Sequence, residues 1–234
     1  MAFKNIKIIY AIGWKPLFLF LLSVISIPAY AQKKDFEIWA GLKYKTIHSK
    51  RVATNISIQS RFHENATRFQ ALFVDFNLAY RLSENIEVSG SYVLVQQNTL
   101  RYGLETYHQY HAGVNYDRKI KAINISYDFI VQNNHKDFFH DSREWTPSTF
   151  GKNRLKMEYK IKKSYFPYVY SDLRHRLFQD KIAELNRLRI GTGLGYRLDS
   201  NSRIDIYCLY QKYFLTNIPR QRYVIGITCK FRSF

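Results

Sequence analysis

From residue 35 onward, apolar and polar side chains alternate with a period of two in run after run. The clearest run is 185–198. Leu188, Ile190, Thr192, Leu194, Tyr196 and Leu198 share one face, and Arg187, Arg189, Gly191, Gly193, Gly195 and Arg197 share the other. Side chains alternate across a strand, so this spacing predicts a strand with one apolar and one polar face. The polar stretch Asp199-Ser200-Asn201-Ser202 then turns the chain into a second alternating run, Arg203-Ile204-Asp205-Ile206-Tyr207-Cys208-Leu209-Tyr210. The same rhythm places Phe36, Ile38, Ala40, Leu42 and Tyr44 opposite Glu37, Gly41, Lys43 and Lys45. It continues through Leu72–Leu82, Ile86–Leu94, Tyr110–Tyr116, Ile123–Val131 and Leu155–Ile161. About eleven strand candidates result, with no helical period among them.

Two features point to a membrane barrel rather than a soluble β-sandwich or lipocalin-like barrel. Many runs keep phase for ten residues or so, the length a tilted strand needs to cross a bilayer, whereas soluble strands average about five or six. Short connections (83–85, 119–122, 163–164, 199–202) alternate with longer ones (99–105, 133–151, 179–184, 215–221), as in barrels with tight periplasmic turns and longer outer loops. Aromatic residues stand near strand ends at Tyr44, Phe62, Tyr80, Tyr116, Tyr196 and Phe214, where interfacial girdles belong. The expected fold is therefore all-β, a transmembrane antiparallel barrel of about 10–12 strands. Such barrels normally have an even strand count, yet the loop alternation starts the first strand on the same side as the long loops. An extra strand, a missing one, or residues 32–35 threading the lumen would each reconcile the two.

The N-terminus adds an address. Lys4, Lys7 and Lys15 precede the apolar run 17–27. Pro28 breaks that run, and Ala29-Tyr30-Ala31 supplies small residues before a cut at Gln32. This reads as a secretory signal peptide over 1–31 and a barrel domain over 32–234, exported to the cell outer membrane. Formal charge is +18 in 234 residues. Export removes nucleic acid from the partners that such a charge would otherwise suggest. Outer-membrane lipid, including anionic lipopolysaccharide, the barrel assembly machinery and small anions remain.

Charged side chains on the polar faces must line the lumen, because a charge at mid-depth in lipid costs about 2–4 kcal/mol. The tentative binding network is Arg154, Lys156, Glu158, Asp172, Arg174, Arg187, Arg189, Arg197 and Asp205. Either the carboxylates satisfy neighbouring arginines in a packed interior, or the cation excess forms an anion path or pocket. The glycines at 191, 193 and 195 leave space on that face for side chains or for an anion.

The chain also resembles the outer-membrane barrels of Gram-negative bacteria grouped as domain of unknown function 2490. The likeness rests on Phe36-Glu37-Ile38-Trp39, Pro167-Tyr168, Asn186-Arg187-Leu188-Arg189-Ile190-Gly191 and Gly195-Tyr196-Arg197-Leu198, in that order over nearly all of the mature chain. It implies an outer-membrane β-barrel and adds little about mechanism. The terminal Phe234 resembles the aromatic end that barrel assembly reads, although it falls outside the apolar phase Tyr223, Ile225, Ile227, Cys229, Phe231.

Signals for chemistry are sparse. No G-x-S-x-G, H-E-x-x-H or P-loop pattern occurs, and neither a metal nor a cofactor is expected. The stretch 134–141 holds His135, Asp137, His140 and Asp141 at no common metal spacing. His140, Asp141 and Ser142 are the only residues to draft for a lipid-modifying enzyme. His108 and His111 fall on opposite strand faces. A turn centred on Ile218-Pro219 would set Cys208 opposite Cys229 on the lipid face. The expectation is a non-enzymatic structural or binding barrel with an ion-paired basic lumen. A narrow anion-selective channel or transporter is the first alternative, and an outer-membrane lipid-modifying enzyme is the second.

Overall fold

The computed structural model describes residues 33–99, 103–136, 148–161, 164–177, 184–214 and 220–234. The signal peptide expected over 1–31 and the candidates Asp137, His140, Asp141 and Ser142 lie outside the described residues. Eleven strands follow one another: β1 (Lys33–Ile47), β2 (Val52–His63), β3 (Arg68–Arg81), β4 (Ile86–Thr99), β5 (Gly103–Ile120), β6 (Ile123–Lys136), β7 (Ser148–Tyr159), β8 (Tyr165–Leu177), β9 (Leu185–Arg197), β10 (Ser202–Tyr213) and β11 (Arg220–Ser233). They run from 12 to 18 residues, about twice the length typical of soluble strands. Each pairs with its sequence neighbours, and β11 returns to β1, so the sheet closes on itself.

The closure settles the strand-parity conflict. Ten neighbouring pairs are antiparallel, but β1 and β11 pair in parallel, from Lys33 opposite Arg220 to Thr46 opposite Ser233. In an antiparallel meander, direction alternates with each strand. An odd count therefore brings first and last strands into the same direction, and the last ladder must be parallel. Lys33, Lys34 and Asp35 already pair with Arg220, Gln221 and Arg222, so these residues are wall rather than a thread through the lumen. Eleven strands fall within the expected 10–12, and the one departure from an antiparallel meander is the parallel β1–β11 ladder.

Three of the short turns share one device. Ser49 Oγ accepts from the amides of Arg51 and Val52. Ser83 Oγ accepts from Asn85 and Ile86, and Asp199 Oδ1 from Asn201 and Ser202 at 2.6 and 2.8 Å. A short polar side chain at the second turn position thus caps the amides two and three residues on. The Asn201 amide, with the Ser202 hydroxyl and amide, holds the Asp199 carboxyl below its ordinary value.

Alternation sorts the side chains as expected. Outward positions carry exposed apolar residues, among them Leu78, Val114, Met157, Ile190, Leu194, Ile206 and Ile227. Aromatics flank this band. Tyr44, Tyr80, Tyr116, Tyr159, Tyr165, Tyr196 and Phe231 stand near the short-turn end. Phe62 and Phe69, in edge contact at 5.9 Å, and the Tyr210–Tyr223 pair at 5.5 Å stand nearer the other end. From Tyr223 to Phe231 the band is about 20 Å tall, taking eight steps of about 3.3 Å at a tilt of about 40°.

The β10–β11 register differs from the expected one. Tyr210 faces Tyr223, Cys208 faces Ile225, and Cys229 faces Ile204. Both cysteines are free. The slip is four residues, an even number, so both thiols keep the outward face but stand about 13 Å apart along the strands.

Candidate functional site: the ion-paired lumen

Inward side chains divide the wall into two kinds. From β2 to β4 they are mostly small, with Ala53, Ala71 and Ala79 buried and an amide–hydroxyl ladder running from Asn55 to Asn77 to Ser91. From β7 through β11 they are long, cationic and aromatic. The glycines mark where the long ones lie. A Cβ on Gly191 would meet Tyr170 at 2.5 Å, and one on Gly193 would meet Tyr168 at 2.5 Å and the Ile206 carbonyl oxygen at 2.8 Å. One on Gly195 would strike the Arg203 guanidinium. Tyr168 and Tyr170 stand directly across the β8–β9 ladder from Gly193 and Gly191. The space beside these glycines is therefore filled by neighbouring strands.

All nine residues picked from the sequence face inward, in groups that differ in carboxylate supply. Toward the short-turn mouth, Glu158 Oε2 accepts from Lys156 and Arg203 at 2.8 Å each. Arg203 also reaches Asp205 at 2.6 Å, and Lys230 pairs with the same carboxylate. Further along the lumen, Asp172 is fully buried. It serves Arg154 at 3.1 Å, Arg187 at 3.4 Å and Lys152 at 3.5 Å. Toward the long-loop mouth, Glu37 holds Arg222 at 2.6 Å and accepts from the Trp39 indole N–H at 2.8 Å.

At that end, other cations are met by neutral groups. Arg189 donates to Gln211 Oε1, Arg174 to Asn186 Oδ1 and Arg61 to Gln59 Oε1. Arg61 lies 4.0 Å from the centres of both Trp39 and Phe73. Arg174 lies 4.4 Å over Phe150. Buried arginines are thus held by rings and amides where carboxylates run short. Among the described residues, the Nε of Arg187 and the Nε2 of Gln211 have no hydrogen-bond partner. Toward the long-loop end, then, Arg61, Arg174 and Arg189 are held without a carboxylate partner among the described residues.

Arg197 lies at the opposite end from Arg174 and Arg189, the other two of the nine without a carboxylate partner among the described residues. It has no carboxylate within ion-pair distance among the described residues and packs 4.7 Å over Phe166 at the short-turn mouth. Glu37, Trp39, Arg61 and Gln211 were not picked out. Glu37 shares the inward phase with Lys43, so period-two spacing alone was enough to find it. Trp39 shares that phase too, but a large aromatic in a lipid-facing barrel reads naturally as outward. His108 points outward, its Nδ1 2.7 Å from the Tyr92 hydroxyl, and His111 points inward, as their spacing required. Among the described residues no cluster of three metal-ligating side chains forms.

No curated protein matches this chain. Among solved structures, an anion-selective porin from Comamonas acidovorans aligns at 13% identity and a TM-score of 0.37, over 81% of this chain and 54% of the porin. The chain spans about half of that protein's length. A family model matches residues 36–222, most of the barrel from β1 into β11. The chain belongs to the family described as protein of unknown function (DUF2490).

Proposed function

We propose that this protein is a non-enzymatic outer-membrane β-barrel whose lumen is closed by its own side chains, and that it serves as a binding or structural protein rather than an open pore. The observation that carries this reading is the burial of Glu37, Asp172 and Gln211. All three are inward-facing polar side chains with 0% exposure, whereas an aqueous channel would wet them. Two apolar clusters in the lumen support it: Trp39, Leu209 and Val224 with Tyr170 and Tyr207, and Ala71, Val93 and Val95 with Phe73 and Tyr107. Eleven strands fall between the eight that side chains can fill and the sixteen or more that leave a channel.

The exposed apolar band between aromatic belts supports a bilayer location, and the basic signal-like N-terminus supports export. Longer loops would then face outward, toward lipopolysaccharide, with the short turns in the periplasm, and barrel assembly machinery would insert the chain. A narrow anion-selective channel is the second reading. It is favoured by Arg61, Arg174 and Arg189, whose partners are neutral and which would attract an anion entering from the long-loop side. Planar-bilayer recording of the refolded protein separates the two. The filled-lumen reading expects no conductance steps where a porin conducts; anion-selective steps that vanish in an Arg189→Gln variant would establish the channel instead. Membrane embedding is tested by gel migration before and after boiling, since a soluble β-protein would not show the heat-dependent shift.

A further inference from the structure

The short-turn mouth of the lumen contains a cavity of about 190 Å³ whose lining includes Lys119, Asn124, Glu158, Lys160, Phe166 and Arg197. The β-ladders place these residues together. Lys119 is opposite Asn124 on β5–β6, and Asn124 is opposite Glu158 on β6–β7. Lys160 follows two residues after Glu158 and keeps its inward phase.

The charge balance of this cavity differs from that of the lumen behind it. Both oxygens of Glu158 are already engaged by Arg203, at 3.0 and 2.8 Å, and Lys156 shares one of them. Its negative charge is therefore answered from the lumen side. Among the described residues, Lys119, Lys160 and Arg197 have no carboxylate within 4 Å. Buried Phe166, at 5% exposure, forms an apolar floor, with Arg197 stacked on it at 4.7 Å. Lys119 on β5, Lys160 just past β7 and Arg197 on β9 are exposed rim residues, and all three line this one concavity with a side-chain amide among them.

We infer that this cavity is a binding site for a small phosphate-type oxyanion, with Arg197, Lys119 and Lys160 as its cationic clamp and Asn124 as a neutral donor. At about 190 Å³ it accommodates a phosphate or the phosphate end of a small ester, and is below the range of about 300–1,000 Å³ usual for larger organic ligands. Arginine supplies a planar fork for two oxyanion oxygens, and lysine supplies point charges. The inference does not rest on whether the lumen conducts. The ligand is either a free phosphate compound or an anionic phospholipid headgroup reaching in from the adjoining leaflet. The two share the same recognition chemistry.

The test uses the full barrel domain refolded in an uncharged detergent, with inorganic phosphate titrated by calorimetry at constant ionic strength against chloride. Saturable phosphate binding is expected, weakened about tenfold or more by Arg197→Gln and by a Lys119→Gln/Lys160→Gln pair. Lys50→Gln and Arg81→Gln, at the same rim but outside the cavity, should leave it unchanged. Heat-dependent gel migration confirms that each variant is folded. Repeating the titration in discs of phosphatidylglycerol or phosphatidylcholine identifies the source. Loss of phosphate binding only in phosphatidylglycerol assigns the site to a lipid headgroup; retention in both assigns it to a soluble phosphate. Absence of saturable binding in detergent, or equal weakening by the rim controls, overturns the inference.

Discussion

Replacing Asp172 by Asn is the sharpest test of how the barrel interior is held. The substitution keeps the shape and removes one negative charge. That carboxylate is fully buried and lies within 3.5 Å of Lys152, Arg154 and Arg187. At 3.1 Å and an effective dielectric constant of about 20, one such pair is worth about 5 kcal/mol of gross Coulomb attraction, most of it offset by desolvation. The relevant quantity is the cost of leaving the partners uncompensated, about 3–5 kcal/mol for a broken buried pair. This places Asp172→Asn about two to four powers of ten lower in the ratio of folded to unfolded protein. Reversible urea unfolding in lipid vesicles, read by circular dichroism and by gel mobility, measures that difference. Glu64→Gln is the control. It breaks the Glu64–Arg68 pair at 3.2 Å, whose side chains are 43% and 47% exposed, and surface pairs are worth about 0–1 kcal/mol. A second substitution, Lys152→Met, should recover part of the Asp172→Asn loss by removing one stranded cation. If Asp172→Asn costs no more than Glu64→Gln, the ion-paired interior does not hold the barrel together and the argument from burial fails.

Other substitutions probe the lipid face, the glycine stripe and the turns. Ile206→Lys, on the outward band, should cost about 2–4 kcal/mol in vesicle unfolding, and Leu198→Lys near the interface about 1 or less; equal costs would mean the band does not lie in lipid. Gly193→Ala should destabilise by about 1–3 kcal/mol, because its Cβ meets a backbone carbonyl as well as the Tyr168 ring, while Gly90→Ala, with nothing within 4 Å, should lack that overpacking cost. Oxidation should leave the monomer unbridged, and Cys208 and Cys229 in vesicles should react with an apolar maleimide but not with a charged thiosulfonate; an intramolecular disulfide by mass would contradict the β10–β11 register. Because amide donors lower the Asp199 carboxyl, its contribution to the 198–201 turn is present at neutral pH and lost as pH falls through that depressed value. Amide shifts of Asn201 and Ser202 followed by NMR should titrate below the ordinary aspartate range, and a midpoint at or above it would remove that role.

Much of this barrel is written in period two. Leu188, Ile190, Leu194 and Tyr196 declare the outer face of β9, Arg187 and Arg189 its inner face, and Ser83 and Asp199 two of the short turns. Those are local properties, set by side-chain direction and by hydrogen bonds spanning three residues, so the sequence by itself determines them. The β10–β11 register was not legible, because a slip of four residues leaves every side chain on the same face and the hydrophobic pattern does not change. The direction of closure depends on the count of all eleven strands, which one ambiguous run alters. The same limit applies to the lumen. Its nine charged candidates could be picked out, but only the closed sheet brings Lys152, Arg154 and Arg187 to a single carboxylate, sets both Arg61 and Arg189 against the Trp39 ring at 4.0 and 5.1 Å, and covers Gly191 and Gly193 with tyrosines. Those contacts join residues on different strands, so their partners follow from the register, tilt and closure of the tertiary structure, and alternation along any one strand leaves them open.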